Sequence, residues 1–333
     1  MPTFSERLEA AIRIKKTPVL VGLDPRYDML PDELKRSGCS CCHEDHAPEG
    51  EYVNPELIAT AFGQFCYKII DIVAPLVPAV KPQMAFFEQY GSMGLFALEH
   101  VIQYARQKGL LVILDGKRND IGSTAEAYAD GLIGPKSSVW GGDALTVSPY
   151  LGDDSLEPFC KVANERSGGI FVLVKTSNKG GAMIQDLIAD GKPVYKHVAD
   201  YVESLNVANT SSNGYGNVGA VVGATWPEQL AELRTLMPKT WFLVPGYGSQ
   251  GGSAKDTAGA FDADGLGAVV NNSRGIIFAY KNGPFAGKFD RWEDAVRAAT
   301  EAMIEQLAAD TPAGKLRSYS AGNKKASGAT VRS

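Results

Sequence analysis

Short runs of apolar, mostly β-branched residues alternate along the chain with longer segments of helical periodicity. Several runs, such as Leu110–Leu114 and Phe171–Val174, are apolar at every position rather than at every second one. Strands buried on both faces show such continuous runs, and strands that alternate with helices indicate a parallel sheet. The pattern predicts eight strands: Val19–Asp24, Ala79–Gln83, Leu110–Lys117, Ala144–Ser148, Ile170–Ser177, Gly219–Ala224, Trp241–Gly246 and Gly267–Asn271.

Helix-start signals lie between these strands. Asn54 offers an N-cap before Pro55 at the first helical position, ahead of an amphipathic stretch to about Val73. Eight βα repeats in about 290 residues favour a closed barrel over an open sheet. We therefore predict an α/β fold, a single (β/α)8 TIM barrel at residues 1–310, with Phe4–Lys16 as an added N-terminal helix.

Two segments stand outside the repeat. A polar, Cys-rich insertion at 38–52 follows the first strand, and its three cysteines and two histidines fit no standard zinc spacing. We favour an exposed loop with incidental thiols over a metal site there. Residues 311–333 are rich in Ser, Gly, Ala and Lys, which predicts a disordered tail.

Composition narrows the class of protein. The hydrophobic content of 44% allows a sizeable core, and a net charge of -5 argues against a nucleic-acid partner, which would need a basic face. The sequence shows no signal peptide and no apolar run of the roughly 18 residues that span a membrane. With an odd number of cysteines, five, a disulfide framework is not expected. These features predict a cytoplasmic enzyme.

Charged residues mark the predicted C-terminal strand ends, where barrel enzymes build their active sites. The third strand carries Asp115 and Lys117, which alternation places on the same side, toward the barrel mouth. Taken alone, the pattern Asp-x-Lys-x-x-Asp is equally consistent with a charged turn. The first strand ends in Asp24 and the second contains Lys81, and structural ion pairs seldom need so many charges in one mouth because desolvating them is costly.

A phosphate site is predicted beside these charges. The loop at 245–252 is rich in glycine and directly follows the seventh strand, and Arg274 follows the eighth. Loops after strands seven and eight form the recurrent phosphate site of these barrels, and a guanidinium suits a phosphate dianion. A flexible glycine loop with a surface arginine is the alternative interpretation.

At these residues the sequence resembles the orotidine 5′-phosphate decarboxylase family. The likeness covers about residues 4–305 and is greatest with the longer, mainly bacterial branch. Its motifs are Asp24, Lys81-Pro-Gln, Asp115-x-Lys117-x-x-Asp120-Ile121 with Thr124, Val174-Lys-Thr-Ser177, Pro245–Gly252 and Arg274. The insertion and the tail have no counterpart in the family core.

The resemblance implies a decarboxylase of pyrimidine biosynthesis that converts orotidine 5′-phosphate to uridine 5′-phosphate without metal or organic cofactor. Lys117 would stabilise charge at C6 and protonate it, Asp115 would lie near the substrate carboxylate, and Lys81 would orient Asp115. The carboxylates of Asp115 and Asp120 would keep Lys117 charged. The implied substrate-binding residues are Asp24 and Lys81 at the ribose, Ser177 and Gln250 at the pyrimidine, Pro245, Gly246, Gly251, Ser273 and Arg274 around the phosphate, and Asp120, Ile121 and Thr124 from the partner subunit of a homodimer.

Two other functions stay open at this point. Sugar-phosphate barrels, such as 3-keto-gulonate-phosphate decarboxylase or hexulose-phosphate synthase, share the Asp-x-Lys-x-x-Asp pattern but use a divalent metal. They are typically shorter, and Ser177 and Gln250 favour a nucleotide instead. A non-catalytic nucleotide-binding barrel is the other alternative, although all four charged residues of the implied catalytic set are present.

Overall fold

Eight parallel strands close into a barrel in which each strand pairs with its neighbours in sequence. The first strand completes the ring by pairing at Leu20 with Ala79 of the second and at Val19 with Val270 of the eighth. The strands are β1 Val19–Leu23, β2 Ala79–Pro82, β3 Leu111–Arg118, β4 Ala144–Val147, β5 Gly169–Lys175, β6 Val218–Val222, β7 Phe242–Val244 and β8 Ala268–Asn272. The predicted barrel is confirmed, and the predicted strand bounds agree to within two residues at either end.

The computed structural model describes residues 1–36, 54–248 and 250–318. The Cys-rich insertion predicted at 38–52 lies outside the described residues, as does the chain from 319 to 333. Among the helices of the described ranges, none combines the length and apolarity needed to cross a bilayer.

Helices follow the strands around the outside of the barrel. Asn54 caps one of them as predicted, since its side chain accepts a hydrogen bond from the amide of Glu56 at 2.9 Å. The helices are α1 Phe4–Lys15, α2 Asp32–Arg36, α3 Pro55–Val73, α4 Ala85–Glu88, α5 Gly91–Gln107, α6 Gly122–Leu132, α7 Glu157–Glu165, α8 Ala182–Gln185, α9 Val194–Ala208, α10 Pro227–Leu236, α11 Arg274–Ile277 and α12 Trp292–Asp310. Shorter elements are the 3-10 helices Tyr27–Met29, Lys179–Gly181, Lys255–Ala260 and Pro312–Ser318, and a hairpin of Ile188–Ala189 with Lys192–Pro193.

The added N-terminal helix packs over the N-terminal ends of the strands. Phe4 is buried and meets Phe171 of β5 edge to face, with ring centroids 6.0 Å apart. Gly169 at the start of β5 leaves room for that ring, because a Cβ there would lie 2.2 Å from Phe4. This helix therefore closes the end of the barrel opposite the predicted site.

The start of the predicted tail at residue 311 is too early. Pro312–Ser318 form a 3-10 helix that packs against α12 and buries Ala313 and Leu316. Residues three apart share one face of a 3-10 helix, so two apolar side chains suffice to dock the segment. The average composition of residues 311–333 is polar and therefore gave no indication of these two apolar residues.

Candidate active site

A cavity of about 490 Å³ opens at the C-terminal ends of the barrel strands. Its position agrees with the rule that barrel enzymes carry their sites at this end. The structure brings most of the predicted site residues together in its lining, namely Asp24, Lys81, Asp115, Lys117, Ser177, Pro245, Gly246, Gln250, Ser273 and Arg274.

One carboxylate joins the charged groups of β2 and β3. Oδ2 of Asp115 accepts a hydrogen bond from Lys81 Nζ, and Oδ1 accepts one from Lys117 Nζ at 2.6 Å. The hydroxyl of Thr146 on β4 donates to the same Oδ1 at 3.0 Å. Lys81 and Asp115 are buried, whereas the Lys117 side chain is 47% exposed. Lys117 is therefore the charged group of the three that a ligand in the cavity can reach most easily.

Mutual attraction keeps Asp115 and Lys81 ionised in spite of their burial. Burial alone raises the pKa of Asp115, but the ammonium groups of Lys81 and Lys117 outweigh it and hold the pKa well below its ordinary range. Burial likewise lowers the pKa of Lys81, and the carboxylates of Asp115 and Asp24 outweigh that effect and raise it. The floor of the cavity is thus a fixed alternation of positive and negative charge.

The end of β3 is irregular at Lys117. Leu114 pairs with Leu145 and Arg118 with Val147, so four steps along β3 span two steps along β4 and β3 bulges by two residues. Lys117 lies in this bulge with φ +43°, a conformation that is uncommon outside glycine and is found at functional sites. Its amide donates to Thr146 Oγ1 at 2.9 Å. Asp115 and Lys117 do face the same side as predicted, but through a bulge that Thr146 holds rather than through plain alternation.

Two buried acceptors beside this array have no hydrogen-bond partner among the described residues. They are Oδ1 of Asp24 and Oδ1 of Asn271 on β8. Burial raises the pKa of Asp24, while Lys81 and a hydrogen bond from Ser273 oppose the rise. Ser273 can approach because Gly22 lacks a side chain: a Cβ there would lie 1.7 Å from its hydroxyl. Since buried acceptors are nearly always paired, this corner fits a ligand that carries hydroxyl or N–H donors.

The loop after β7 forms a tight turn at the cavity rim. Three of its glycines have positive φ: Gly246 at +96°, Gly248 at +70° and Gly251 at +99°. The turn closes through hydrogen bonds from the Gly248 amide to Gly252 O at 2.7 Å and from the Gly252 amide to Gly246 O at 3.1 Å. A residue with a side chain would be strained at these φ values, so the glycines are required by the backbone conformation.

Arg274 lies beside this loop. It is exposed and lines the cavity, and its side chain makes no hydrogen bond or ion pair with the residues that the structure describes. Its guanidinium is therefore available to an anion. Of the predicted phosphate residues, Gly251 alone does not line the cavity, and its amide donates to Gly248 O at 2.9 Å.

Three further predicted residues lie outside the cavity of this chain. Asp120, Ile121 and Thr124 follow β3 and are not among the lining residues. Ile121 is 54% exposed although it is apolar, and Thr124 is exposed as well. Oδ1 of Asp120 accepts a hydrogen bond from the amide of Ile121 at 2.9 Å. Within one chain these residues do not contribute to the site.

Several lining residues were not predicted: Gln83, Thr146, Thr176, Asn178, Gln185 and Asn271. A signal existed for Thr146 and Asn271, because each is a polar residue in an otherwise apolar strand near its C-terminal end. No such signal marks Gln185, which reaches the cavity from α8. In the ranges that the structure describes, no group of three or more His, Cys, Asp or Glu residues is placed to hold a metal ion.

Comparison with known proteins assigns the chain to a family. The model of the orotidine 5′-phosphate decarboxylase / HUMPS family matches residues 18–286, which is most of the 333-residue chain. The chain belongs to this family.

Relatives agree over nearly the full length. A protein of Rhodopirellula baltica named orotidine 5′-phosphate decarboxylase is 55% identical over 92% of this chain and 99% of its own. One of the same name from Deinococcus radiodurans is 42% identical over 84% of this chain and 90% of its own. The solved structure of Leishmania donovani OMP decarboxylase is 33% identical, with a TM-score of 0.68 over 92% of this chain and 98% of the other. The family resemblance seen in the sequence motifs is thereby confirmed.

The charge array generates a stability prediction. Lys81→Met leaves Asp115 buried with one ammonium partner instead of two, which should lower the free energy of unfolding at pH 7 by about 3–5 kcal/mol. Lys108→Met, which removes an exposed partner of Asp71, is the matched control and should change the free energy of unfolding little. Urea unfolding of both variants at one protein concentration measures the difference.

The sign of the pH dependence follows from Asp115. Its folded pKa lies below the ordinary value of 3.8, so its contribution to stability is present above that value and is lost as the pH falls through the folded pKa. The deficit of Lys81→Met should therefore shrink once the pH drops below about 4. A deficit that stays constant with pH, or that only equals that of Lys108→Met, would show that the buried pair does not act this way.

Proposed function

We propose that this chain converts orotidine 5′-phosphate to uridine 5′-phosphate and CO₂, with Lys117 as the proton donor. The observation that carries the proposal is the Lys81–Asp115–Lys117 array on the cavity floor, in which Lys117 is accessible and the other two are buried. Membership of the family and the names of its relatives support the same activity.

The array suits the chemistry of the reaction. When the bond between C6 and the carboxylate breaks, its electron pair remains on C6 of the pyrimidine. The ammonium of Lys117 would stabilise that charge and then transfer a proton from Nζ to C6. Asp115 would hold Nζ in place and would also repel the substrate carboxylate before CO₂ leaves. Solvent can return the proton to Lys117, because its side chain is half exposed.

The rest of the cavity offers complementary groups for the other parts of the nucleotide. Oδ1 of Asp24 and Oδ1 of Asn271, which accept no hydrogen bond from any residue that the structure describes, suit ribose hydroxyls. Arg274 and the glycine loop after β7 suit the phosphate. Ser177 and Gln250 would contact the pyrimidine. Phosphate binding far from C6 can still lower the barrier if it orders the loop around the substrate.

Two other functions are separable by experiment. A sugar-phosphate enzyme of the same family would need a divalent metal to stabilise an enediolate, so its activity would fall with a chelator. A non-catalytic barrel would bind the nucleotide without releasing CO₂. The complete charge array and the names of the relatives favour the decarboxylase.

Lys117→Ala should lower kcat at least about 10³-fold, because it removes both the proton donor and the nearest positive charge. Binding of uridine 5′-phosphate should remain measurable. The ultraviolet absorbance of orotidine 5′-phosphate, followed with chelator present, gives the rate, and Lys161→Ala, at an exposed lysine of α7, is the control. In D₂O the wild-type product should carry deuterium at C6. Near-normal turnover of Lys117→Ala would rule out the mechanism, and loss of wild-type activity with chelator would favour the metal-dependent alternative.

Arg274→Ala should weaken the use of orotidine 5′-phosphate by about 1.5–3 kcal/mol in kcat/KM, as expected for hydrogen bonds to a charged group. Turnover of orotidine, which lacks the phosphate, should be slow and nearly the same in the variant and the wild type. Arg291→Ala, at an exposed arginine paired with Glu293, is the control and should change neither. Equal losses on both substrates would mean that Arg274 does not recognise the phosphate.

We also propose that the chain acts as a homodimer whose active sites are shared. Apolar side chains are exposed in the segments that follow β3, β4 and β5, at the same mouth of the barrel as the cavity: Ile121, Tyr150, Leu151, Met183, Ile184, Leu187 and Ile188. Exposed apolar residues concentrated at one side favour a protein interface. A two-fold contact there would bring Asp120, Ile121 and Thr124 of each chain toward the cavity of the other.

Mixed dimers test the sharing of Asp120. Lys117→Ala and Asp120→Ala homodimers should each be inactive, since every site lacks one essential group. In a heterodimer one site contains both substitutions and the other contains neither. Because random mixing makes about half of the dimers heterodimers, each with one intact site of two, about a quarter of wild-type activity should return. Refolding the two variants together and assaying the mixture measures this.

The matched control mixes Lys117→Ala with Asp115→Ala. These two residues hydrogen-bond within one chain, so every site of that heterodimer lacks one of them and no activity should return. If subunit exchange is confirmed and the Asp120 mixture also stays inactive, Asp120 acts within its own chain or not at all.

A further inference from the structure

A second lysine lies buried next to the cavity without entering it. Lys175 is the last residue of β5, and its side chain is 1% exposed. Nζ pairs with Asp186 and lies 4.6 Å from the centroid of Trp226 and 5.3 Å from that of Tyr195. A buried ammonium is tolerated when it is paired, and aromatic rings add a further attraction. We call these four residues the lysine box.

A bulge directs Lys175 away from the cavity. Leu173 lines the cavity, and plain alternation would put Lys175 on the same side. The two steps from Leu173 to Lys175 span the single step from Val221 to Val222 of β6, so β5 gains one residue there. Lys175 consequently does not line the cavity and packs instead against the rings of the lysine box.

The lysine box connects the two ends of the segment at 176–185, which follows β5 and forms one wall of the cavity; we call this segment the 176–185 wall. The Lys175–Asp186 pair closes a segment whose interior residues Ser177, Asn178 and Gly181 line the cavity. A second link lies beside it: the amide of Thr176 donates to Gln185 Oε1 at 3.0 Å.

Two more hydrogen bonds strengthen that connection. Nε2 of Gln185 donates to Thr176 Oγ1 at 2.8 Å, and Nε1 of Trp226, itself in the box, donates to Thr176 O at 2.9 Å. Thr176 is thus held at its amide, hydroxyl and carbonyl by groups that the box fixes in place. Its neighbour Ser177 accepts at its carbonyl from Thr225 Oγ1 at 3.0 Å.

We propose that the lysine box is a positioning device that holds the 176–185 wall in the shape that recognises the pyrimidine. This inference rests on the proposed function, because it takes Ser177 as a contact of the base. Only Lys175 of the pair is buried, since the Asp186 side chain is 42% exposed, and apolar residues in place of a buried ion pair are often as stabilising, so stability alone does not account for Lys175. A paired charge differs from an apolar contact in fixing the direction and the distance of its partner.

The test compares two ligands that share ribose and phosphate and differ in the base. Uridine 5′-phosphate and ribose 5-phosphate are titrated calorimetrically into Lys175→Met and Gln185→Met, well below their melting temperatures. Gln185→Met breaks the link to Thr176 without changing the buried lysine, and so remains informative if Lys175→Met does not fold. Lys192→Met removes a partly exposed lysine, outside the lysine box, from its pair with Asp200 and is the matched control.

Both test variants should bind uridine 5′-phosphate about tenfold more weakly, as the loss of one or two hydrogen bonds would give, and ribose 5-phosphate within about twofold of wild type. Lys192→Met should bind both as wild type does. Parallel weakening of both ligands, or no weakening of either, would overturn the inference, since a merely structural pair would not change the ratio. A wild-type protein that binds the two ligands equally would contradict the proposed function itself.

Discussion

The arrangement of the site depends on one buried carboxylate placed between two ammonium groups. Asp115 accepts hydrogen bonds from Lys81, Lys117 and Thr146, which come from three adjacent strands. Removing these charges from water is costly, and the cost is offset only because opposite charges meet at hydrogen-bonding distance. A closed parallel barrel makes this possible, since the C-terminal ends of neighbouring strands converge on the same mouth. Lys117 Nζ is thereby held at Asp115 while about half of the Lys117 side chain stays accessible.

Around the Lys81–Asp115–Lys117 array, polar and charged groups on loops and strand ends are suited to binding a nucleotide. Oδ1 of Asp24 and Oδ1 of Asn271, which have no hydrogen-bond partner among the described residues, suit hydroxyl donors, and Arg274 beside the glycine turn suits an anion. Strands hold side chains in the precise positions that proton transfer requires. Loops can close over a substrate, so that binding energy gained far from the reacting atoms lowers the activation barrier. The proposed decarboxylation would need this separation of rigid and adaptable parts, because the proposed phosphate contacts would lie far from C6.

The sequence sufficed to predict the barrel and ten of the 21 residues that line the cavity, because apolar runs locate strands and the polar residue after each run locates the mouth. The sequence did not suffice where the local backbone geometry departs from the regular alternation of strands or the regular repeat of long helices. The bulge at Lys117 has no sequence signal of its own, and Gln185 enters the cavity from a four-residue helix. The docking of Pro312–Ser318 depends on two apolar residues in a polar segment, which average composition conceals.

Two lysines at the ends of β3 and β5 show why spacing cannot assign a role by itself. Lys117 and Lys175 each follow an inward-facing residue by two positions, and each lies at a bulge. In β3 the bulge adds two residues and Lys117 stays in the cavity, bound to Asp115. In β5 it adds one residue, and Lys175 turns toward Asp186 and two aromatic rings. An odd insertion reverses the facing of every later side chain and an even one preserves it. The parity of the bulge therefore decides which of the two ammonium groups lines the cavity and which packs beside it.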